Sequence, residues 1–433
     1  MFNLKRLVSL TLIKINFYFG FLFLLFEIPL FILKNRKIIF KNKLLYLESN
    51  WSFGHTFAGF DYVSRIFFPR KISLIYIPFL YNNKFLPECF PNLDFVIFES
   101  CFPFKKEINE IIKYNIFIFY IRVVLVFRPE FYLVEREFIY QTLSIANQKI
   151  KHGHSDGVRY TPSPDWTGYV RLLHERIGVP PEIPMKFKEF CDDKIKEKFP
   201  DFFDKPFACV LLRNKGDRVL TFDSFCRNAS PSRDYIPSIR YLIDSGFHVV
   251  ATGETDVVPF LKIDGFFDTS DLAKSNPDLF NLYFLMNSEI FLGQQSGPHL
   301  VPNSRYHTCI ITEALPYRLG TFQKEDIILF KKFRKKIEKK PLLMSEVFKN
   351  HMDWAFGADI QNENVQIINN TSEEILKTVQ EGVEKHLGTW KSNPDVNLWK
   401  KDFRSLLSDE MALYYHENYP PEFVLEEMFS KNH

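Results

Sequence analysis

The 433-residue chain carries no Cys-x-x-Cys pair, no Gly-x-x-x-x-Gly-Lys loop and no Gly-x-Gly-x-x-Gly turn. The first absence argues against a clustered zinc site, and the other two exclude the common phosphate loop and the dinucleotide fingerprint. The 6 cysteines are Cys89, Cys101, Cys191, Cys209, Cys226 and Cys309, too scattered to read as a disulfide framework, and a reducing cytoplasm is expected. Cys209 and Cys309 lie inside apolar runs, where the thiol acts as a small hydrophobe. No long basic stripe accompanies the net charge of +3, so nucleic acid is not an expected partner. The densest basic run, Lys331 to Lys340 (KKFRKKIEKK), reads as a solvated helix face or loop, with a phosphate or membrane patch as the alternative.

What the chain does have is a composition of 46% hydrophobic and 25% charged residues, which is that of a soluble globular protein. Its length predicts two domains. The N-terminus departs from plain solubility. Phe17 to Leu33 (FYFGFLFLLFEIPLFIL) is almost wholly apolar, with Lys5, Arg6 and Lys14 before it and Lys34, Arg36 and Lys37 after. It falls short of the roughly 20 residues of a spanning helix, and Glu27 and Pro29 interrupt it. No small-residue cleavage site follows, which argues against a signal peptide. Two readings stay open: a marginal or surface-lying membrane anchor, which the basic flanks suit, and a buried first helix of the N-terminal domain.

Beyond it, strand and helix patterns alternate twice, as in parallel-sheet α/β domains. In the first stretch Lys43 to Glu48, Ile72 to Ile77 and Phe95 to Phe98 read as strands, with a helix from Thr56. Ile116 to Phe127 is a core element too short to span a bilayer. Residues 151–185 read as a long loop and linker, and His152 and His154 as a polar loop rather than a metal site. In the second stretch Phe207 to Leu212, Phe247 to Thr252, Ile290 to Leu292 and Thr308 to Thr312 read as strands. Helices are expected from Arg233 to Ser245, from Leu279 to Met286, and from a cap at Asn370-Thr371 towards His386. The expected divisions are 1–40, a membrane-associating segment; 41–200 and 201–385, two Rossmann-like domains; and 386–433, a helical segment returning to the first of them.

The stretch 289–312 holds the sharpest signal. An apolar strand stops at Gly293 and gives way to Gln294-Gln295-Ser296-Gly297-Pro298-His299 before the next strand. Ligands of open parallel sheets sit beyond the carboxyl ends of strands, where helix N-termini aim N–H groups outward. Ser296 and Gly297 allow close approach, and Pro298 suits a first helical turn. The turn fits an anion, phosphate above all; a plain strand–turn–helix junction is the alternative.

Gln295-Ser296-Gly297-Pro298-His299-Leu300 resembles the Asp-Ser/Thr-Gly-Pro-Met-His-Leu signature of bacterial heptosyltransferases, with Gln295 in place of the Asp and no Met. The chain is more similar to a bacterial family of glycosyltransferases of the surface-polysaccharide type. That likeness rests on Gly54-His55, Arg227-Asn228, the run Tyr235-Ile236-Pro237-Ser238-Ile239-Arg240-Tyr241-Leu242, the segment Gly246 to Val250, and Ser296-Gly297. The resemblance covers 205–315 and, thinly, 44–80. It implies the GT-B fold, two facing Rossmann-like domains, with acceptor binding in the first and a nucleotide sugar in the second.

For that chemistry the expected donor-site residues are Arg213, Arg227, Asn228, Gly253, Glu254, Gln295, Ser296, Gly297, Pro298 and His299. Arg213 would grip phosphate, and Glu254 would accept a ribose or base hydrogen bond. Surface ion pairs or a solvated turn are the plainer roles for these charges. His55 is the expected base for an acceptor hydroxyl, with a capping role open, and Asp61 the alternative base or orienting carboxylate. No Asp-x-Asp triplet occurs, so no metal is expected, and the nucleotide-diphosphate sugar is a co-substrate rather than a cofactor. A glycan or lipid-linked acceptor and the cytoplasmic side of the inner membrane complete the expectation. A nucleotide-sugar 2-epimerase of the same fold and a membrane-tethered binding module without turnover are the alternatives.

Overall fold

A computed structural model describes residues 24–42, 44–48, 53–76, 83–98, 106–128, 132–134, 169, 172–213, 230–253, 255–315, 326–349, 365–407 and 419–430. The chain divides into two compact units, residues 1–145 with 178–181 and residues 146–177 with 182–433.

In the first unit a helix over 24–39 (α1) leads into β1 (Leu44–Glu48) and α2 (Phe53–Ile66). Then come β2 (Ile72–Tyr76), β3 (Leu93–Ile97), α3 (Lys106–Phe127) and β4 (Tyr132–Val134). The strands form a parallel sheet in the order β3-β2-β1-β4, with Leu45 opposite Ser73 and Ile75 opposite Val96. Side chains alternate along a strand, so Leu45, Ile75 and Val96 share one face. There they meet Leu24, Ile28, Ile32 and Ile39 of α1 and Ile116, Phe117 and Ile121 of α3. On the opposite face Phe60 of α2 packs edge-on against Tyr76 and Phe90. The link from α1 to β1 is fastened by a Lys41–Asp94 ion pair of 2.8 Å and by Ser73, whose hydroxyl donates to the Ile38 carbonyl.

The apolar N-terminal stretch is therefore not a free anchor throughout. From Leu24 onward it supplies one wall of a domain core, because residues four apart on a helix share a face and that face is Leu, Ile, Ile. The part before Leu24 lies outside the described residues. Among the described residues no helix is long and apolar enough to cross a membrane.

The second unit holds a six-stranded parallel sheet in the order β10-β9-β8-β5-β6-β7. Its strands are β5 (Phe207–Leu211), β6 (His248–Ala251), β7 (Phe266–Phe267), β8 (Ile290–Gly293), β9 (Thr308–Ala314) and β10 (Ile327–Phe330). Every residue of β5, β6 and β8 is buried. This is why they read as unbroken apolar runs rather than alternations. Helices α4 (Met185–Lys198), α5 (Ile236–Asp244), α6 (Pro277–Asn287), α7 (Leu300–Ser304) and α8 (Ser372–His386) accompany the sheet. The cap expected at α8 is present: Thr371 Oγ1 accepts the Glu374 N–H at 3.2 Å, and Glu374 Oε2 accepts the Thr371 N–H at 2.9 Å.

Three expectations need correction. The division does not fall at 200: the second unit takes residues 146–177 and 182 onward, α4 buries Cys191 and Ile195, and Asp192 accepts a hydrogen bond from the Tyr283 hydroxyl of α6. Residues 386–433, expected as a separate segment, group with the second unit. Helices α9 (Val396–Ser405) and α10 (Glu422–Phe429) are tied in there. Trp390 Nε1 donates to Glu422 Oε1 at 2.9 Å, and the Glu422 N–H donates to Glu381 Oε2 at 2.7 Å. The basic run is no helix face: Lys332–Lys335 form β11, antiparallel to β12 (Val365–Ile368), with Phe333 turned inward and Lys332 and Arg334 outward, and only Lys336–Lys340 are the exposed loop expected as the alternative.

Helix α8 approaches the sheet through Gly382, where a Cβ would lie 2.6 Å from Cδ1 of Ile310. Gly382→Val is expected to cost about 1–3 kcal/mol by overpacking. Thermal unfolding checks this; an unchanged midpoint would show that α8 can move off the sheet freely.

Candidate functional site

All six strands of the second sheet point the same way, so their carboxyl ends line one edge. Strand β8 ends there at Gly293, where a Cβ would stand 2.7 Å from the Leu211 carbonyl oxygen of β5; only glycine fits so close to a neighbouring backbone. The next residue, Gln294, is buried and uses both ends of its amide. Its Oε1 accepts the Arg213 N–H at 2.5 Å, and its Nε2 donates to the Tyr235 hydroxyl at 3.3 Å. Tyr235 closes the short turn ahead of α5, and its hydroxyl lies 2.9 Å from Thr312 Oγ1 of β9. One amide thus ties the ends of β5 and β8 to α5 and β9. Burial, reinforced by the charge of Glu313, pushes the Tyr235 hydroxyl far above its usual pKa, so it stays a neutral hydrogen-bonding group.

After the buried Gln295, Ser296 is extended and Gly297–His299 forms a tight turn that continues into α7. The Ser296 N–H donates to Nδ1 of His299 at 3.1 Å, and the His299 N–H returns to the Ser296 carbonyl at 3.1 Å. His299 therefore clamps the turn. Gly297 is its first residue, and its N–H precedes the helical hydrogen bonds. The strand–turn–short helix–strand order expected here is the one observed.

A second buried constellation stands beside it. Strand β9 pairs Ile311 with Ile328 and Ala314 with Phe330, so two residues on β9 oppose one on β10. The bulge carries Glu313 at φ +55, a conformation that L residues adopt at a cost. Its buried carboxylate accepts from the Ser230 hydroxyl and from the Asn370 N–H, at 3.2 Å to each oxygen. Lys331, also buried, brings Nζ to 3.6 Å of Oε2 and donates to Asn369 Oδ1 at 2.8 Å. Burial raises the Glu313 pKa, and Lys331, Ser230 and Asn370 offset only part of that. The sequence alone reads this strand as ending at Thr312 and Lys331 as solvated; the signal that would find the pair is an acid inside one apolar run and a lysine closing the next.

The expected donor residues that the structure describes follow the carboxyl ends of three strands. Arg213 follows β5 by two residues, half-buried. Gly253 follows β6 with φ +66, and its N–H donates to Asn281 Oδ1 at 3.2 Å. Gln295, Ser296, Gly297, Pro298 and His299 follow β8, and β8, β5 and β6 are neighbours in the sheet. Arg227, Asn228 and Glu254 lie outside the described residues, as do His152 and His154.

In the first unit His55 is the third residue of α2, which starts at Phe53 and so earlier than expected. Asp61 lies further along α2, its side chain wholly buried and 2.8 Å from Nε of the equally buried Arg65. That carboxylate has a guanidinium for its partner and no exposed surface. Among the described residues no group of three or more His, Cys, Asp or Glu is arranged to hold a metal ion.

No family model and no curated protein matches the chain. Among solved structures, ADP-heptose lps heptosyltransferase II of E. coli is similar over 80% of this chain and 99% of its own, at 11% identity and a TM-score of 0.43. A glycosyl transferase family 9 protein of Veillonella parvula is similar over 79% and 98%, at 13% identity and a TM-score of 0.44. The E. coli heptosyltransferase WaaC with ADP-2-deoxy-2-fluoro heptose follows at 72% and 99%, 10% identity and 0.35. Likenesses of this size fix neither a family nor an activity for the chain.

The Glu313–Lys331 pair makes its own prediction. Lys331→Met strands a buried carboxylate and is expected to cost about 3–5 kcal/mol at neutral pH. A carboxyl whose pKa is raised on folding is most compatible with the fold below its unfolded value of about 4.3, and stability is lost as pH rises through the folded value. Without Lys331 that folded value rises further. The deficit should therefore shrink towards acid, and Glu313→Gln added to Lys331→Met should recover part of it. Denaturant titrations across pH read both effects; a pH-independent deficit with no recovery would show the two groups uncoupled.

Proposed function

We propose that the chain transfers a sugar from a nucleotide-sugar donor to a glycan or lipid-linked acceptor of surface-polysaccharide assembly, at the cytoplasmic side of the inner membrane. The observation that carries this reading is the gathering of Arg213, Gly253 and the Ser296-Gly297 turn at the carboxyl ends of three neighbouring parallel strands. That edge is where open parallel sheets take their ligands. A diphosphate suits it: the turn presents the Gly297 N–H, and the Arg213 guanidinium offers a fork for two phosphate oxygens. The same groups would stabilise charge growing on the leaving diphosphate, with no metal needed for that role.

In this reading the second unit takes the donor and the first takes the acceptor. Gly253 and the neighbouring Glu254 meet the nucleoside. His55, at the start of α2, removes the acceptor proton; a neutral imidazole is matched to that task near pH 7. Asp61, expected as the alternative base or orienting carboxylate, takes neither part in this reading; its buried side chain pairs with Arg65.

A thermal-shift screen against UDP, GDP, ADP and CMP identifies the nucleotide, and release of that nucleotide with acceptor measures transfer. Arg213→Ala is expected to weaken nucleotide affinity by about 10-fold or more. Gly297→Val should weaken it as well, by blocking close approach, whereas Ser296→Ala should be mild. His55→Ala should spare affinity and reduce turnover by roughly 10²–10⁴. Normal affinity in both Arg213→Ala and Gly297→Val, with the fold intact by circular dichroism, would refute the donor site. Interconversion of the sugar without transfer would replace the transferase by an epimerase.

A further inference from the structure

Helices α1 and α3 cover the same face of the first unit's sheet, and both are apolar on the side turned away from it. Phe31 packs against Phe117 at 5.8 Å, and the Tyr120 hydroxyl donates to the Leu25 carbonyl at 2.8 Å. From these contacts α3 runs antiparallel beside α1. The inward faces fill the core, as described above. The outward residues of α1 are Phe26 (72% exposed), Leu30 (65%) and Leu33, spaced four and three apart on one face. Those of α3 are Phe119 (59%), Val123, Val126 (76%) and Phe127 (78%), again on one face. The antiparallel course brings Val126 and Phe127 towards the end of α1 that bears Phe26.

An apolar surface of this kind on a folded domain marks an interaction site. The charges around it select the occupant. Among the described side chains of the two helices and Arg128 just beyond α3, Lys34, Arg36, Lys37, Arg122 and Arg128 are basic and exposed, and Glu27 is the one acid. Apolar side chains on a helix face with a strong basic excess beside them are the pattern of interfacial helices on anionic lipid. We infer that the outward faces of α1 and α3 form a docking surface by which the first unit lies on a bilayer containing anionic lipid. The surface rests on a folded domain face, so it is independent of the donor site and adds α3 to the N-terminal stretch as a membrane contact.

The full chain is tested by co-sedimentation with vesicles of phosphatidylethanolamine and phosphatidylglycerol, and with vesicles of phosphatidylcholine alone. Binding is expected to the first and to be weaker, or absent, with the second. Phe26→Gln, Leu30→Gln and Val126→Gln together should weaken binding at least about tenfold without loss of helicity, because these side chains leave the core untouched. Lys34→Glu with Lys37→Glu, both exposed and clear of the core, should weaken binding to the anionic vesicles by about tenfold or more and reduce its salt sensitivity. Nucleotide binding should be unchanged in both variants, which keeps this test separate from that of the donor site. Binding of both variants like the parent would show that the residues before Leu24 suffice, and would overturn the proposal. So would a lipid-free dimer that the triple variant dissociates, since a second copy would then be the occupant.

Discussion

Buried polar groups at the ends of parallel strands must find partners inside the protein, and the second unit is organised around that constraint. An unpaired buried amide or carboxylate costs about 1–3 kcal/mol or more. Gln294 meets the requirement by bonding Arg213 with one end of its amide and Tyr235 with the other. Glu313 meets it through Lys331, Ser230 and Asn370, the residue just before the cap of α8. The two sets touch through Tyr235, whose hydroxyl reaches Thr312, the neighbour of Glu313. The edge that carries the Ser296-Gly297 turn is therefore held in place from β5 to α8 by contacts within the protein itself.

The first unit answers a different demand. Its helices α1 and α3 are apolar on opposite sides, one set of side chains filling the core and another facing outward. A helix serving only a soluble core would carry polar residues on its outer face. The stretch Phe17 to Leu33 is thus ambiguous as a sequence because its residues from Leu24 onward present both surfaces in the folded unit. Within α2, the Asp61–Arg65 pair, four residues apart, holds two charges out of water.

Much of the strand and helix order was legible because burial leaves a period. The wholly buried strands β5, β6 and β8 could be read as apolar runs, and α8 by its cap and its inward spacing of Ile375, Val379 and Val383. The turn at 294–299 was legible because Gly, Ser and Pro have restricted uses at the mouth of a helix. What escaped were features whose meaning depends on a distant partner. Lys331 looks like its exposed neighbours until Glu313 stands opposite it, and Lys332 to Lys335 looks like a solvated run until Val365 to Ile368 pairs with it.

By itself the sequence determined two α/β units, the order of their main strands, and the residues that end them: Arg213, Gly253 and the Gln-Ser-Gly-Pro turn. These follow from short-range rules, in which a side chain's size, its φ preference or its period along one element is enough. Only the tertiary structure decided that Gln294 rather than Gln295 ties β5 to β8, that a bulge turns Glu313 inward, and that the last helices pack on the second unit. Each of those outcomes is set by which strand lies beside which, and neighbours in a sheet are brought together by contacts between residues far apart in the chain.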